Sequence, residues 1–215
     1  MNGSDLEGAD LRGALVLTAD LRDAAMLGVQ VEGADFTGAN LGGVRLSKVE
    51  MHEARWAGAC FRQANLRGCD LEWLDLTGTD FWSANLEGAY LTGTRAFGVD
   101  FGGARLNNAG LAEIEWEGAD LRDADLSGAS FHLGSTRCGL VMSPIACEGS
   151  RTGFYTDESE ELHFQPPDQI RKANLQGADL RGACVEKADF YLVDLRGASY
   201  GEAQEIHFRR CRALL

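Results

Sequence analysis

The sequence predicts an all-β solenoid, and three observations predict it. A large apolar residue returns at every fifth position from Leu6 to Phe131, with only Ala96 undersized. A small or β-branched residue stands two places before it, as at Ala9, Ala14, Ala19, Ala24, Val29 and Ala34. Glycine often stands two places after it, as at Gly13, Gly38, Gly58, Gly68, Gly78 and Gly88. About 26 such units follow one another without a break in frame. Self-similarity at a short fixed period marks units that bury their apolar faces only by stacking on neighbours.

Period five is neither helix nor ordinary strand. A helix needs apolar residues at i, i+3 and i+4, and a half-buried strand needs alternation. If the large residue is i, then i−2 and i are two apart, and a short extended piece points both inward. Positions i−1, i+1 and i+2 then face outward or turn, and glycine at i+2 suits a corner with left-handed backbone. Each unit becomes one wall: inward alanine, outward aspartate or asparagine, inward leucine, corner.

Ala9-Asp10-Leu11-Arg12-Gly13 shows the pattern, and Ala34-Asp35-Phe36-Thr37-Gly38, Ala84-Asn85-Leu86-Glu87-Gly88 and Ala178-Asp179-Leu180-Arg181-Gly182 repeat it. These tandem A(D/N)LxG units resemble the pentapeptide repeat proteins, over about three quarters of the chain. The resemblance implies a right-handed quadrilateral β-helix with four units per coil. Family members range from scaffolds of unknown role to DNA mimics, so the fold alone does not assign a function.

Four units per coil stack residues twenty apart. Wall one then runs from Leu6 through Met26 and Leu46 to Leu126, and wall two from Leu11 through Val31, Met51 and Leu71 to Phe131. Wall three contains Val16, Phe36, Trp56, Leu76, Ala96 and Trp116; wall four contains Leu21, Leu41, Phe61, Phe81, Phe101 and Leu121. Phe61, Phe81 and Phe101 should form an internal aromatic ladder at about 4.8 Å per step. Trp116 should lean over Ala96, because an unfilled large-to-alanine gap costs about 2–5 kcal/mol.

The first repeat block spans 1–131, and the frame is then lost. Residues 132–169 are expected to hold a one-residue slip near 132–139, an irregular coil at about 138–155 and a projecting loop at about 156–168. A second block, 170–200, resumes with Ala173-Asn174-Leu175-Gln176-Gly177 in a frame displaced by one residue. The tail, 201–215, is expected to be a cap helix over about 200–213. Ser199 would be its N-cap and Glu202 the second half of a capping box. Ala203, Ile206, Phe208, Cys211 and Leu214 would cover the open core, and Arg209, Arg210 and Arg212 suit the C-terminal dipole. All of this is one domain.

The formal net charge of −13 and pI near 4.7 argue against direct binding to nucleic acid or an anionic membrane. They suit a basic partner, though acidity also simply keeps an open rod soluble. Cys69 and Cys138 read as small core residues and Cys60 and Cys184 as outward ones, and nothing in the sequence requires that Cys138 pair with Cys147. The start of the chain carries no leader pattern, and no run is long enough to span a membrane, so the cytoplasm with reduced thiols is expected. His52, His132, His163 and His207 are scattered, with no metal-ligand spacing. The Asp pairs are surface repeats without a pocket to shift their pKa. No catalytic, cofactor or metal site is expected, and no enzyme.

Sorting the outward residues by wall makes wall two an acidic stripe of Asp10, Glu32, Glu50, Glu53, Asp70, Glu72 and Glu113, against Arg12. Wall three alternates Asp35, Arg55, Asp75, Arg95 and Glu115; wall four mixes aspartates with Arg22, Arg62 and Arg122. Six coils would make a stripe of about 30 Å, near the roughly 34 Å of a DNA turn. Solvation and turn hydrogen bonding explain outward aspartates equally well. Trp73, Trp82, Tyr90 and Phe97 are outward aromatics that suit either contact surfaces or stacking between coils. Leu15, Leu17 and Leu27 are outward near the first coil, to cover its open edge or meet a second copy.

The resemblance adds a specific expectation. Gyrase-protecting members suggest a non-enzymatic DNA mimic that binds a type II topoisomerase, DNA gyrase or topoisomerase IV, and protects it from inhibitors. In such members projecting loops matter, which draws attention to Asp157, Glu158, Glu160 and Glu161. They often dimerise through their C-terminal ends, which makes Ile206, Phe208, Leu214 and Leu215 cap or homodimer candidates. The alternative is an acidic protein–protein interaction scaffold.

Overall fold

Twenty residues separate successive layers of the chain. Asp5 bridges Ala25 in parallel, Asp10 bridges Gln30, Leu15 bridges Asp35 and Asp20 bridges Asn40. The step recurs up the stack, so each coil has four walls, each contributing one bridging residue rather than a long strand. The computed structural model describes residues 2–47, 49–51, 53–131, 154–156, 162–164 and 172–215.

Each wall is closed by the same bonds. The Leu11 N–H donates upward to Gln30 O at 2.9 Å, and the Gln30 N–H donates downward to Ala9 O at 3.0 Å. At the corner the Ala14 N–H closes back on Leu11 O at 2.9 Å, across Arg12 and Gly13. Gly13 has φ 67, the sign required at the third position of a type II turn. Where glycine is absent the corner still takes this conformation, as at Asp23, Gln63 and Trp73.

The inward positions form one continuous core. Phe61, Phe81 and Phe101 stack with centroids 5.2 and 5.1 Å apart and planes within 13°. This is the ladder expected on wall four. Ala96 is fully buried, and Trp116 bridges the residues around it. The Trp116 indole N–H donates to Thr94 Oγ1 at 3.0 Å, and its ring stacks on Phe101 at 4.3 Å. Trp56 stacks on Phe36 at 4.4 Å and donates to Met51 O at 2.9 Å. Leu6, Leu11 and Val16 of the first coil are only partly buried, and the outward-pointing Leu15, Leu17 and Leu27 are exposed.

The second block stacks directly on the first. Glu115 bridges Asn174, Asp120 bridges Asp179, Asp125 bridges Cys184 and Ser130 bridges Asp189. The step is 59 residues instead of 20, and the frame moves by one residue across it. Walls 115–130 and 174–189 are bridged to each other, while the slip expected near 132–139 and most of the irregular coil at 138–155 and of the loop at 156–168 lie outside the described residues. Most of 132–171, including Cys138, Cys147, Asp157, Glu158, Glu160 and Glu161, lies outside the described residues. Within that span the described backbone is a small antiparallel pair, β1 (Phe154–Thr156) with β2 (Leu162–Phe164).

The C-terminal helix α1 spans Glu202–Arg210, shorter than the expected 200–213. Its N-cap is Gly201, not Ser199. Ser199 is instead a wall residue bridged to Asp179, which fixes its backbone in the coil. The Gly201 N–H donates to Gln204 Oε1 at 2.7 Å, so glutamine three residues on takes the part expected of Glu202. Phe208 and Cys211 are buried over the last coil, with Phe208 against Phe190 and Tyr200. Ala203 and Ile206 point outward, contrary to expectation, because Gln204 occupies the inward face. Its amide donates to Leu180 O and Ala183 O at 2.6 and 2.9 Å. A polar cap residue there satisfies the Ala183 carbonyl, of the kind that a next coil meets elsewhere in the stack, while Leu180 O also takes the corner bond from the Ala183 N–H. After the helix, Leu214 returns to bridge Asp194 and joins wall three.

Candidate functional site

Most outward aspartates have a structural task. The carboxylate of the residue before the inward leucine accepts the backbone N–H two residues on, across the corner. Asp10 takes the Arg12 N–H at 3.1 Å, Asp35 that of Thr37, Asp70 that of Glu72, Asp100 that of Gly102 and Asp125 that of Ser127. Asn40, Asn65, Asn85 and Asn174 do the same with an amide oxygen. The recurrent Asp/Asn is therefore a turn-holding residue first.

Arginines then neutralise part of the acidity. On wall four, Asp20, Asp120 and Asp179 each receive the guanidinium two residues on, and Arg62 reaches up to Asp80. Wall three is compensated as expected, with Arg95 Nε 3.0 Å from Glu115 and Arg55 4.0 Å from Asp35. On wall one Glu87 sits between Arg67 and Arg105 at 3.1 and 3.3 Å. Hydrogen bonds from Arg12 and Arg22 hold Asp10 and Asp20 down to about 2. These pairs are exposed and add little to stability.

Wall two departs from this balance in its first coils. Glu32, Glu50 and Glu53 are exposed and Asp70 is half-buried. Glu32 and Glu50 make no turn bond of the aspartate kind, and among the described residues their carboxylates meet no hydrogen-bond donor or ion-pair partner. Around them the rungs part: Gln30 is not bridged to Glu50, and the Gly33 N–H donates to Glu53 O, one residue beyond the regular step. A groove of about 320 Å³ opens there, floored by Val29, Val31 and Val49 and rimmed by Gln30, Glu32, Glu50 and Glu53. The five-residue frame itself is unbroken through Leu46, Met51 and Trp56, so the parting is a local change of hydrogen-bond partner that periodicity alone did not reveal.

The rest of the expected stripe is not a free acidic face. Glu72 is only 5% exposed, Glu113 is half-buried and Asp10 is paired with Arg12. Higher on wall two the outward positions are Tyr90, Thr92, Gly110, Ala112 and Ser130, of which all but Tyr90 are buried within the molecule. The acidic face runs from Asp10 to Asp70, three coil steps or about 14 Å, not the 30 Å expected from the sequence.

Other expected positions are scattered. Trp73, Trp82, Tyr90 and Phe97 are exposed as expected, and Ile206 and Leu215, the cap or homodimer candidates, are exposed too. Cys69 is buried, Cys60 half-buried and Cys184 exposed. One pairing was missed: His207 and Cys211 stand four apart on the helix side, with Sγ 3.5 Å from Nε2, and Nε2 lies 2.8 Å from Ala188 O. Among the described residues no group of His, Cys, Asp and Glu is arranged to hold a metal ion. No helix among them is long and apolar enough to cross a membrane.

Comparison with solved structures gives the fold. HetL, a pentapeptide repeat protein involved in heterocyst differentiation regulation from Nostoc sp. strain PCC 7120, matches with a TM-score of 0.55 and 23% identity. The match covers 93% of this chain and 86% of HetL. QnrB1, a plasmid-mediated fluoroquinolone resistance protein, is 17% identical over 100% of this chain and 97% of its own, with a TM-score of 0.35. Rfr23 from Cyanothece 51142 is 15% identical over 90% and 88%, also at 0.35. No curated protein matches the sequence. The family model of pentapeptide repeats, in eight copies, matches residues 1–41, 18–52, 45–82, 75–111, 100–133 and 170–199. With most of its length matched, the chain belongs to the pentapeptide repeat family.

Proposed function

We propose that the chain is a non-catalytic binding protein that uses the acidic half of wall two to occupy a basic, DNA-accommodating surface of another protein. The observation that carries this is the surplus of Glu32 and Glu50. They are exposed, hold no turn, form no close ion pair among the described residues, Glu32 feeling the charge of Arg12 only at longer range, and rim a groove. Aspartates elsewhere are explained by turn geometry; these glutamates are not. Like carboxylates facing solvent suit electrostatic docking to a positive surface. Among such partners the DNA site of a type II topoisomerase, gyrase or topoisomerase IV, is the one that the family resemblance singles out. On that reading the protein would mimic DNA and protect the enzyme from inhibitors in the cytoplasm.

The shortness of the face favours a local contact over imitation of a whole DNA turn. A general interaction scaffold with another basic protein is the second reading, and the same surface serves it. The test is charge reversal at Glu32→Lys and Glu50→Lys, both exposed, in place of buried Glu72. Binding of the purified protein to gyrase is measured at low and at physiological salt. Loss of binding in the double variant, with melting unchanged, supports the topoisomerase reading. Equal binding by the variant removes wall two from it, and no binding by the unaltered protein leaves the scaffold.

A further inference from the structure

Two exposed tryptophans use one arrangement with opposite outcomes. Trp82 lies against Gly102 of the next coil, where an added Cβ would come within 3.3 Å of its ring. Arg62, one coil below Trp82, places its guanidinium 5.6 Å from the ring centroid. Trp73 lies against Gly93 of the next coil still more closely, and a Cβ there would overlap the ring, at 2.1 Å from Cε3. One coil below Trp73, at the same corner, the sequence has Glu53 in place of an arginine.

Trp73 is also held against its local preference. It occupies a corner position with φ 62, where Gly13, Gly33 and Gly93 of the same column are glycine and Glu113 is another non-glycine in this conformation. The left-handed region disfavours a bulky L-residue, and such strain persists where the surroundings or a function demand it. The ring is 60% exposed, so the core does not demand it. Among the described residues no ring or cation stacks on it. The indole is thus propped on a bare glycine beside the acidic half-wall.

We propose that Trp73 is the anchor on which an arginine of a basic partner stacks, as Arg62 stacks on Trp82 within the chain. The proposal rests on the acidic wall-two reading above and names the chemistry of its contact. Arginine suits the site because a guanidinium is planar, is weakly hydrated, and both stacks on an indole and pairs with carboxylates. Tryptophan and arginine are also the side chains on which binding energy concentrates.

The test uses the full chain labelled with 5-fluorotryptophan and followed by fluorine NMR at low salt. The probe is a decapeptide alternating arginine and glycine, with its lysine counterpart as control. The Trp73→Gly variant identifies the resonance and removes the ring while restoring the residue usual at such corners, so it should fold normally. The expected result is a shift of the Trp73 signal, still signals from buried Trp56 and Trp116, and binding weakened about threefold to thirtyfold in Trp73→Gly. Equal binding by Trp73→Gly overturns the anchor and leaves the acidic wall standing. Equal shifts with the lysine peptide overturn the arginine assignment. Absence of binding by either peptide overturns both the anchor and the acidic wall.

Discussion

Phe81→Ala probes how rigidly the coil spacing is set. Phe81 is fully buried between Phe61 and Phe101, at 5.2 and 5.1 Å. Removing its ring leaves a gap one coil thick. The flanking rings cannot close it, because the rungs on that wall are tied by Phe61 N–H to Asp80 O at 2.7 Å and Phe81 N–H to Asp100 O at 2.8 Å. Little relaxation means a cost in the upper part of the range for such truncations, about 4 kcal/mol out of about 3–5. For a chain of this length that lowers the melting temperature by roughly 8–16 °C, at about 2–4 °C per kcal/mol. Urea unfolding followed by far-ultraviolet circular dichroism measures it, with Phe81→Leu as the variant that refills most of the gap. A loss below about 1.5 kcal/mol for Phe81→Ala would show that the coils slide together, and would refute the argument from fixed rungs.

Three further outcomes follow from the same structure. Gly118 has φ 69 with nothing near its missing Cβ, so backbone strain alone should make Gly118→Val cost about 1–2 kcal/mol and Gly118→Asn less, read by thermal melting. Gln204→Ala should cost about 1–3 kcal/mol by leaving the Ala183 carbonyl unmet under the helix, with amide exchange quickening first in residues 172–200. The pH dependence carries a definite sign: Asp10 and Asp20 are depressed from 3.8 to about 2 by their arginines. Whatever they contribute is present in full above the unfolded value near 3.9 and is lost as pH falls toward 2. Carboxylate NMR should find Asp10 titrating near 2, and Arg12→Gln should return it toward the ordinary range.

The period-five pattern made the coil legible because every unit repeats the same two inward residues. From it the four walls, the Phe61–Phe81–Phe101 ladder and the inward place of Trp116 could be read. What it could not show were features with no period. The bond from the Gly33 N–H to Glu53 O departs from the regular step without disturbing the inward series, since Met51 and Trp56 still point in. Glu72 reads as an outward residue but is buried, which depends on tertiary packing rather than spacing. At the tail, Ser199 matched a helix cap, yet its backbone was already committed to a wall, and the next glycine took the cap. The acidic face was legible in composition but not in extent, because aspartates that hold turns and glutamates that face solvent carry the same charge.

The most direct test of the central claim, that this acidic surface engages the DNA-accommodating site of a type II topoisomerase, is a gyrase supercoiling and cleavage-complex assay. The protein is titrated with and without a topoisomerase poison at two salt concentrations. Inhibited supercoiling or fewer poison-trapped cleavage complexes, weakening as salt screens the contact, is the result the account predicts. Unchanged supercoiling and unchanged cleavage at tens of micromolar protein, at low salt, would contradict it.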